Sequence, residues 1–277
     1  MNFVTRNLLA LAITGVGATV ALTAQAASIQ ITVTNNQAAG GLSITPLYAA
    51  LHNGNFDAFD LGGTASPGLE LLAETGMPPV IAAERRAIDP NSQALFLESP
   101  SGPPPVQPGE SVSGIFEVNT PSALFFTFLS MLLPSNDHFI GNDNAREFQI
   151  FDDNGNFTGN RTINVTGADI YDAGTEANGF EGAAFVQGAD INDSPTGEGS
   201  IQQGIPLSDE LLASGVLLAT GGTLNDGLID FTSDPSAFNL LTIEISEVAP
   251  VPLPASAPLM LAALGLLGWR VRRKTVS

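Results

Sequence analysis

Residues 122–143 read SALFFTFLSMLLPSNDHFIGND, and the fold is decided by how the turn inside them is read. An apolar strand candidate, ALFFTFLSMLL, stops abruptly at a polar cluster, Pro134-Ser135-Asn136-Asp137, with an acid at its centre. Proline, serine and asparagine are turn formers. The cluster is therefore either a plain surface turn or a metal site at the mouth of a β-sandwich. A carboxylate where a buried strand leaves the core is costly unless paired, and a cation would pair it.

On both sides of this stretch the chain alternates apolar and polar residues with a period of two, the signature of half-buried strands. SIQITVTN (28–35), GLSITPLYAALHNG (41–54), SVSGIFEVN (111–119), EFQIFDD (147–153), RTINVTG (161–167), EGAAFV (181–186) and NLLTIEISEV (239–248) are strand candidates, most of them bounded by Gly, Pro, Asn or Asp. Asn154-Gly155 signals a two-residue hairpin, expected to join EFQIFDD to RTINVTG. Asp152 and Asp153 beside it lack the closing glutamate of a twelve-residue calcium loop. SPGLELLAETG (66–76) and PLSDELLASG (206–215) read as short helices, starting at Ser66 and near Ser208 and stopping at Gly76 and Gly215. ESPSGPPPVQPGES (98–111) is an extended, Pro-rich connector. Many short strands with Gly and Pro turns predict an all-β fold, an antiparallel sandwich or barrel with one or two short helices, in one domain over residues 27–248.

The 277 residues contain no cysteine, which excludes disulfides, thiolate zinc sites and thiol nucleophiles. All 28 acids lie in the middle of the chain, where Arg85, Arg86, Arg146 and Arg161 are the only cations besides histidine. Nucleic-acid binding needs a basic face and is excluded on this ground. An acidic surface attracts cations and also confers solubility.

Residues 1–26, with Arg6, an apolar run from Leu8 to Leu22 and Ala24-Gln25-Ala26, read as a secretory signal peptide. Residues 249–277 combine a Pro-rich spacer, an apolar segment from Ala255 to Trp269 and a basic stop of Arg270, Arg272, Arg273 and Lys274. The segment is short for a full span of about 20 residues, and the cations are expected to stay cytoplasmic. The order resembles the PEP-CTERM sorting signal of Gram-negative bacteria, with Pro252-Leu253-Pro254 as its motif and leucine where glutamate usually stands. That resemblance implies export, transient membrane insertion, cleavage by an exosortase-type peptidase, and delivery to the cell surface or an exopolysaccharide matrix.

Catalytic options are few. The histidines are His52 and His138. There is no Gly-x-Ser-x-Gly elbow, His-Glu-x-x-His helix or phosphate-binding glycine loop. No spacing marks paired acids for glycoside hydrolysis, and the chain is expected not to be an enzyme. His138 beside Asp137 is either a ligand, a base, or a residue that caps or packs at a strand end. The acids suit a hard cation: calcium takes six to eight oxygens from carboxylates and carbonyls on loops. Two stretches supply them, Pro134–Asp137 and Tyr171–Glu176, and Gly174 in the second allows the sharp turn that lets Asp172 and Glu176 face one point.

At these residues the chain resembles the spondin amino-terminal domain family, in its bacterial branch. FTFLSMLLPSNDHFIGND (126–143) is similar to the family's strand and Ser-Met-x-x-Pro-Ser-x-Asp turn. YDAGTEAN (171–178) is similar to its Asp-Ala-Gly-Thr-acid segment, and residues 44–76 to the opening of the bacterial members. The likeness runs from Ser28 to about Phe185, and NDSPTGEGSIQQGIPLSDELLASG (192–215) has no counterpart. The resemblance implies an antiparallel β-sandwich like calcium-dependent phospholipid-binding domains, with Ca2+ held at one end by Asp137, Asp172 and Glu176. Animal members carry aspartate at the position of Glu176 and have disulfides; this chain departs from them in both respects. The implied role is adhesion or matrix interaction at the cell surface, through a cell-surface or exopolysaccharide partner. The alternatives are an exopolysaccharide- or small-ligand-binding module, or a matrix-acting hydrolase.

Overall fold

The computed structural model describes residues 27–99, 105–118, 124–190, 197, 199–213 and 222–248. The expected signal peptide and the sorting tail with its apolar segment lie outside the described residues. In chain order the strands are β1 (Ala27–Asn35), β2 (Ser43–Ile44), β3 (Leu47–His52), β4 (Gln93–Leu97), β5 (Ser111–Val118), β6 (Leu124–Leu133), β7 (His138–Gly141), β8 (Phe148–Phe151), β9 (Arg161–Thr166), β10 (Ile170–Asp172), β11 (Gln202–Gln203) and β12 (Asn239–Glu247). The α-helices are α1 (Pro67–Thr75), α2 (Pro79–Ile88) and α3 (Asp209–Ala213). Among the described residues no helix is long and apolar enough to cross a membrane.

Two antiparallel sheets face each other as a sandwich. The smaller runs β5-β1-β12-β9, and the larger runs β11-β10-β7-β6-β3-β4, with β2 and β8 also pairing β6. The alternation in β1 puts Ile29, Ile31 and Val33 inward, where they join Phe116 and Ile243 of their own sheet and Phe126, Phe128 and Ile140 of the other. Burying each such side chain contributes about 1.5–3 kcal/mol.

β6 does not alternate, because all ten of its residues are buried. Leu124, Phe126, Phe128 and Leu132 face the other sheet. Leu129 faces outward into a second cluster, with Tyr48, Phe139 and Tyr171 of neighbouring strands, Phe56 and Phe59 of a loop, and Leu69, Leu72 and Ile81 of α1 and α2. The helical hairpin thus roofs the outer face of the large sheet. A strand covered on both faces reads as a continuous apolar run, which explains the opening stretch.

Local chemistry sets the element ends. Ser66 caps α1 by accepting the Leu69 N–H at 3.1 Å, and Gly76 ends it with a φ of 70°. A Cβ at Gly76 would lie 2.4 Å from Thr45 Cγ2, so the close approach of α1 to the sheet also needs glycine there.

Several expectations are corrected. GLSITPLYAALHNG is two strands, β2 and β3, because Pro46 cannot donate to a ladder. EGAAFV forms turns rather than a strand, with Phe185 at a φ of 60°. The Asn154-Gly155 turn forms, with Gly155 N–H bonded to Asp152 O at 2.9 Å, but its ladder ends at the bond from Thr158 N–H to Ile150 O. Beyond it the partners diverge: β8 joins β6 in the large sheet and β9 joins β12 in the small one. The chain crosses the sandwich here so that Ile150 and Ile163 both reach the inner core. Helix α2 and strand β4 were not anticipated. Pro78 and Pro79 obscure the start of α2, which has no side-chain cap.

Candidate metal centre

Asp137 and Asp172 meet through the pairing of β6, β7 and β10, not through the Asn154-Gly155 turn. The turn after β6 reverses the chain into β7, which pairs antiparallel with β6. β10 then pairs with β7, setting Asp172 opposite His138. Asp137 immediately precedes His138, so three chemistry-bearing side chains converge at one corner of the large sheet. One ligand atom each from Asp137, His138 and Asp172 lies within 4.8 Å of the others, and all three residues are buried.

Each carboxylate has one oxygen tied to main chain. Asp137 Oδ2 accepts from the N–H groups of Thr175 and Glu176, both at 3.0 Å. Asp172 Oδ1 accepts the Gly174 N–H at 2.7 Å. Gly174 sits at a φ of 66°, and a Cβ there would come within 2.2 Å of Ser200 O. The 174–176 loop is thereby folded around the Asp137 carboxylate and strapped by the bond from Gly199 N–H to Gly174 O at 2.6 Å.

The second oxygen of Asp137 is different. Oδ1 is fully buried and meets no hydrogen-bond donor among the described residues, and the same holds for Nδ1 of His138. The two atoms are 4.0 Å apart. The other ring nitrogen, Nε2, bonds Ile205 O at 3.0 Å and lies 4.0 Å from Asp172 Oδ2. Burial, and next the Asp172 charge, push the Asp137 carboxyl above the usual carboxylate range, against the N–H bonds from Glu176 and Thr175 and the attraction of His138. Glu74, near the end of α1, is raised as well, by burial first, with Thr175 bonded to it. The corner therefore concentrates negative charge in a poorly solvated place.

Glu176, the third expected ligand, joins this corner through its N–H bond to Asp137, and it lines with Asp172, Gly174, Asn178, Gln202 and Ile205 a cavity of about 60 Å3. That leaves room for a cation and water beside the cluster. The orphaned Asp137 oxygen and the two like charges fit a divalent ion, with Asp137 and Asp172 as the carboxylates in place. Asp152 lies elsewhere, at the surface in the Asn154-Gly155 turn, its carboxylate accepting from Asn154 and Asn156. His52 is remote too: Nδ1 accepts the Gly54 N–H at 3.1 Å and Nε2 bonds Thr127 Oγ1 at 2.9 Å. Sequence reading left His138 open between ligand, base and packing residue. It missed Ile205 and Gln202 altogether, because no motif marks that segment.

A two-sheet sandwich with its loops folded around buried acids at one corner defines the class as a β-sandwich with a loop-end acidic centre. The Spondin_N family model matches residues 39–189, and the chain belongs to that family. The PEP-CTERM protein-sorting motif matches residues 250–274, which implies export, recognition by an exosortase and sorting to the cell surface. No curated protein matches the chain.

Proposed function

We propose that this surface-sorted Spondin_N protein binds calcium at the Asp137–Asp172 corner and works in adhesion or matrix interaction, without catalysis. The observation that supports it is the buried, donor-less Oδ1 of Asp137 beside a second buried carboxylate. Bound calcium would neutralise that pair and lock the 174–176 loop, giving a stiff surface for a partner. A binding role is favoured over hydrolysis because both acids are buried and each spends one oxygen on backbone N–H groups. Glycosidase acids stand about 5–9.5 Å apart across a sugar.

Calcium should raise the melting temperature of the purified mature protein. At one hundred times the dissociation constant the gain is about 2.7 kcal/mol, or about 5–10 °C for a domain of this size. Asp137→Asn and Asp172→Asn should lose most of that response, whereas Asp152→Asn should keep it. Equal responses in all three would reject the site.

A second reading, a small-ligand-binding module, has one observation in its favour. A cavity of about 300 Å3 lies beside Ile205, lined by Leu207, Leu212, Ile229, Phe231 and Thr232. Its Phe231 ring meets the His138 ring edge-on at 6.3 Å. Saturable binding of exopolysaccharide fragments, lost on Phe231→Ala, would favour this reading.

A further inference from the structure

We infer that His138 supplies a nitrogen ligand, through Nδ1, to the cation at this corner, and that the site prefers a borderline divalent ion of the zinc class to calcium. The inference rests on the reading that the Asp137–Asp172 corner holds a cation, and it changes which cation that is.

The argument starts at the other side of the ring. Nε2 lies 3.0 Å from the Ile205 carbonyl oxygen. A carbonyl only accepts, so Nε2 carries a proton. In neutral imidazole Nδ1 is then a bare lone pair. This is how proteins orient a metal-binding histidine: one nitrogen donates to a backbone carbonyl, fixing ring and tautomer, and the other faces the ion.

Nδ1 faces an acceptor. It lies 4.0 Å from Asp137 Oδ1, and both atoms are buried without a donor. Two lone pairs confronting each other in a dry site are unfavourable unless something positive lies between them. A shared proton does not suffice, because 4.0 Å is too long for a hydrogen bond. A tetrahedral ion with bonds of about 2.0–2.2 Å sets two of its ligand atoms about 3.3–3.6 Å apart, so one ion can touch both atoms after a shift of about half an ångström. His138 is fully buried, and the pairing of β10 with β7 sets it opposite Asp172. The ring is therefore held between the two carboxylates, with Nδ1 on the Asp137 side and Nε2 on the Asp172 side.

A nitrogen ligand alters selectivity. Calcium takes oxygen donors almost exclusively, whereas imidazole suits zinc, copper and nickel, with affinity rising along the first transition row.

The test uses the purified mature protein, freed of metal by chelation. Melting temperatures are followed against Ca2+ and Zn2+, and Cu2+-loaded protein is examined by pulsed electron paramagnetic resonance. Zinc should bind at least about tenfold more tightly than calcium, and the copper spectrum should show coupling to one imidazole. The assignment is sharp because the chain has only two histidines, and both nitrogens of His52 are engaged. His138→Gln should keep a calcium response and lose both the imidazole coupling and the zinc preference. If that variant does not fold, the wild-type spectrum still decides. Stabilisation by calcium with no imidazole coupling would overturn the nitrogen ligand and leave the calcium site standing. Imidazole coupling that survives in His138→Gln would overturn it as well. No response to any divalent ion, as expected if only water fills the gap, would overturn both readings.

Discussion

Asp137 divides its two oxygens between two tasks: Oδ2 organises the 174–176 loop, while Oδ1 is left facing His138. Only part of this is legible in the sequence. A Pro-Ser-x-Asp turn at the end of an apolar run announces Asp137, and an Asp-x-Gly pattern announces Asp172. His138 stayed ambiguous because its role depends on the Ile205 carbonyl, 67 residues away in sequence. The other histidine makes a separate prediction. Burial, the largest cause, lowers the His52 pKa from 6.5 to about 4; the Asp89 charge opposes the shift, and Arg85 and Arg146 add to it. Between those two values the unfolded chain holds a proton that the folded one rejects. The stabilisation from keeping His52 neutral is therefore complete above pH 6.5 and is lost as pH falls toward 4. At 1.36 kcal/mol per unit this is about 3 kcal/mol. In His52→Gln the pH-dependent part should vanish, so the gap in unfolding free energy between wild type and variant should change by about that amount from pH 7 to pH 4. Parallel urea-denaturation profiles for the two proteins would rule out His52 as the cause.

Among the elements, those with a clean two-residue period were the ones legible from sequence. β1, β5 and β12 sit where the alternation places them, because one face of the small sheet meets the core and the other meets solvent. Elements governed by tertiary partners were not legible. β10 is three residues long and exists because β7 offers it an edge. The Asn154-Gly155 hairpin was over-extended because a turn signal cannot say which sheet each arm will join. α2 owes its place to α1. Glu84 of α2 accepts the Ser66 hydroxyl at 2.7 Å and the Gly68 N–H at 2.8 Å, while buried Arg85 donates to Tyr48 Oη at 2.6 Å and also to Ser92. One serine thus both caps α1 and bolts it to α2. Ser66→Ala should cost about 1–2 kcal/mol and lower the melting temperature by a few degrees. An unchanged denaturation midpoint would mean that the apolar roof over Leu129 and Tyr171 holds the hairpin unaided.

For the whole molecule, charge and apolar sequence are sorted along the chain. The acids fill the middle, while the motif-bearing tail holds Arg270, Arg272, Arg273 and Lys274 and no acid. Four cations following an apolar segment resist translocation, so the tail should pause in the membrane with its basic end in the cytoplasm. The apolar segment from Ala255 to Trp269 has 15 residues, fewer than the roughly 20 of a full span. The hydrocarbon core is about 30 Å thick. A segment this short should make a poor permanent anchor, as expected of a signal that is cut rather than kept. In cells with an active exosortase the mature protein should lack the tail by intact mass and be released to the surface. In cells without the peptidase the tail should persist and the protein should fractionate with membranes. Replacing the four cations with glutamine should weaken the pause and reduce processing even when the peptidase is present. The same mass with and without the peptidase would show that this tail is not its substrate.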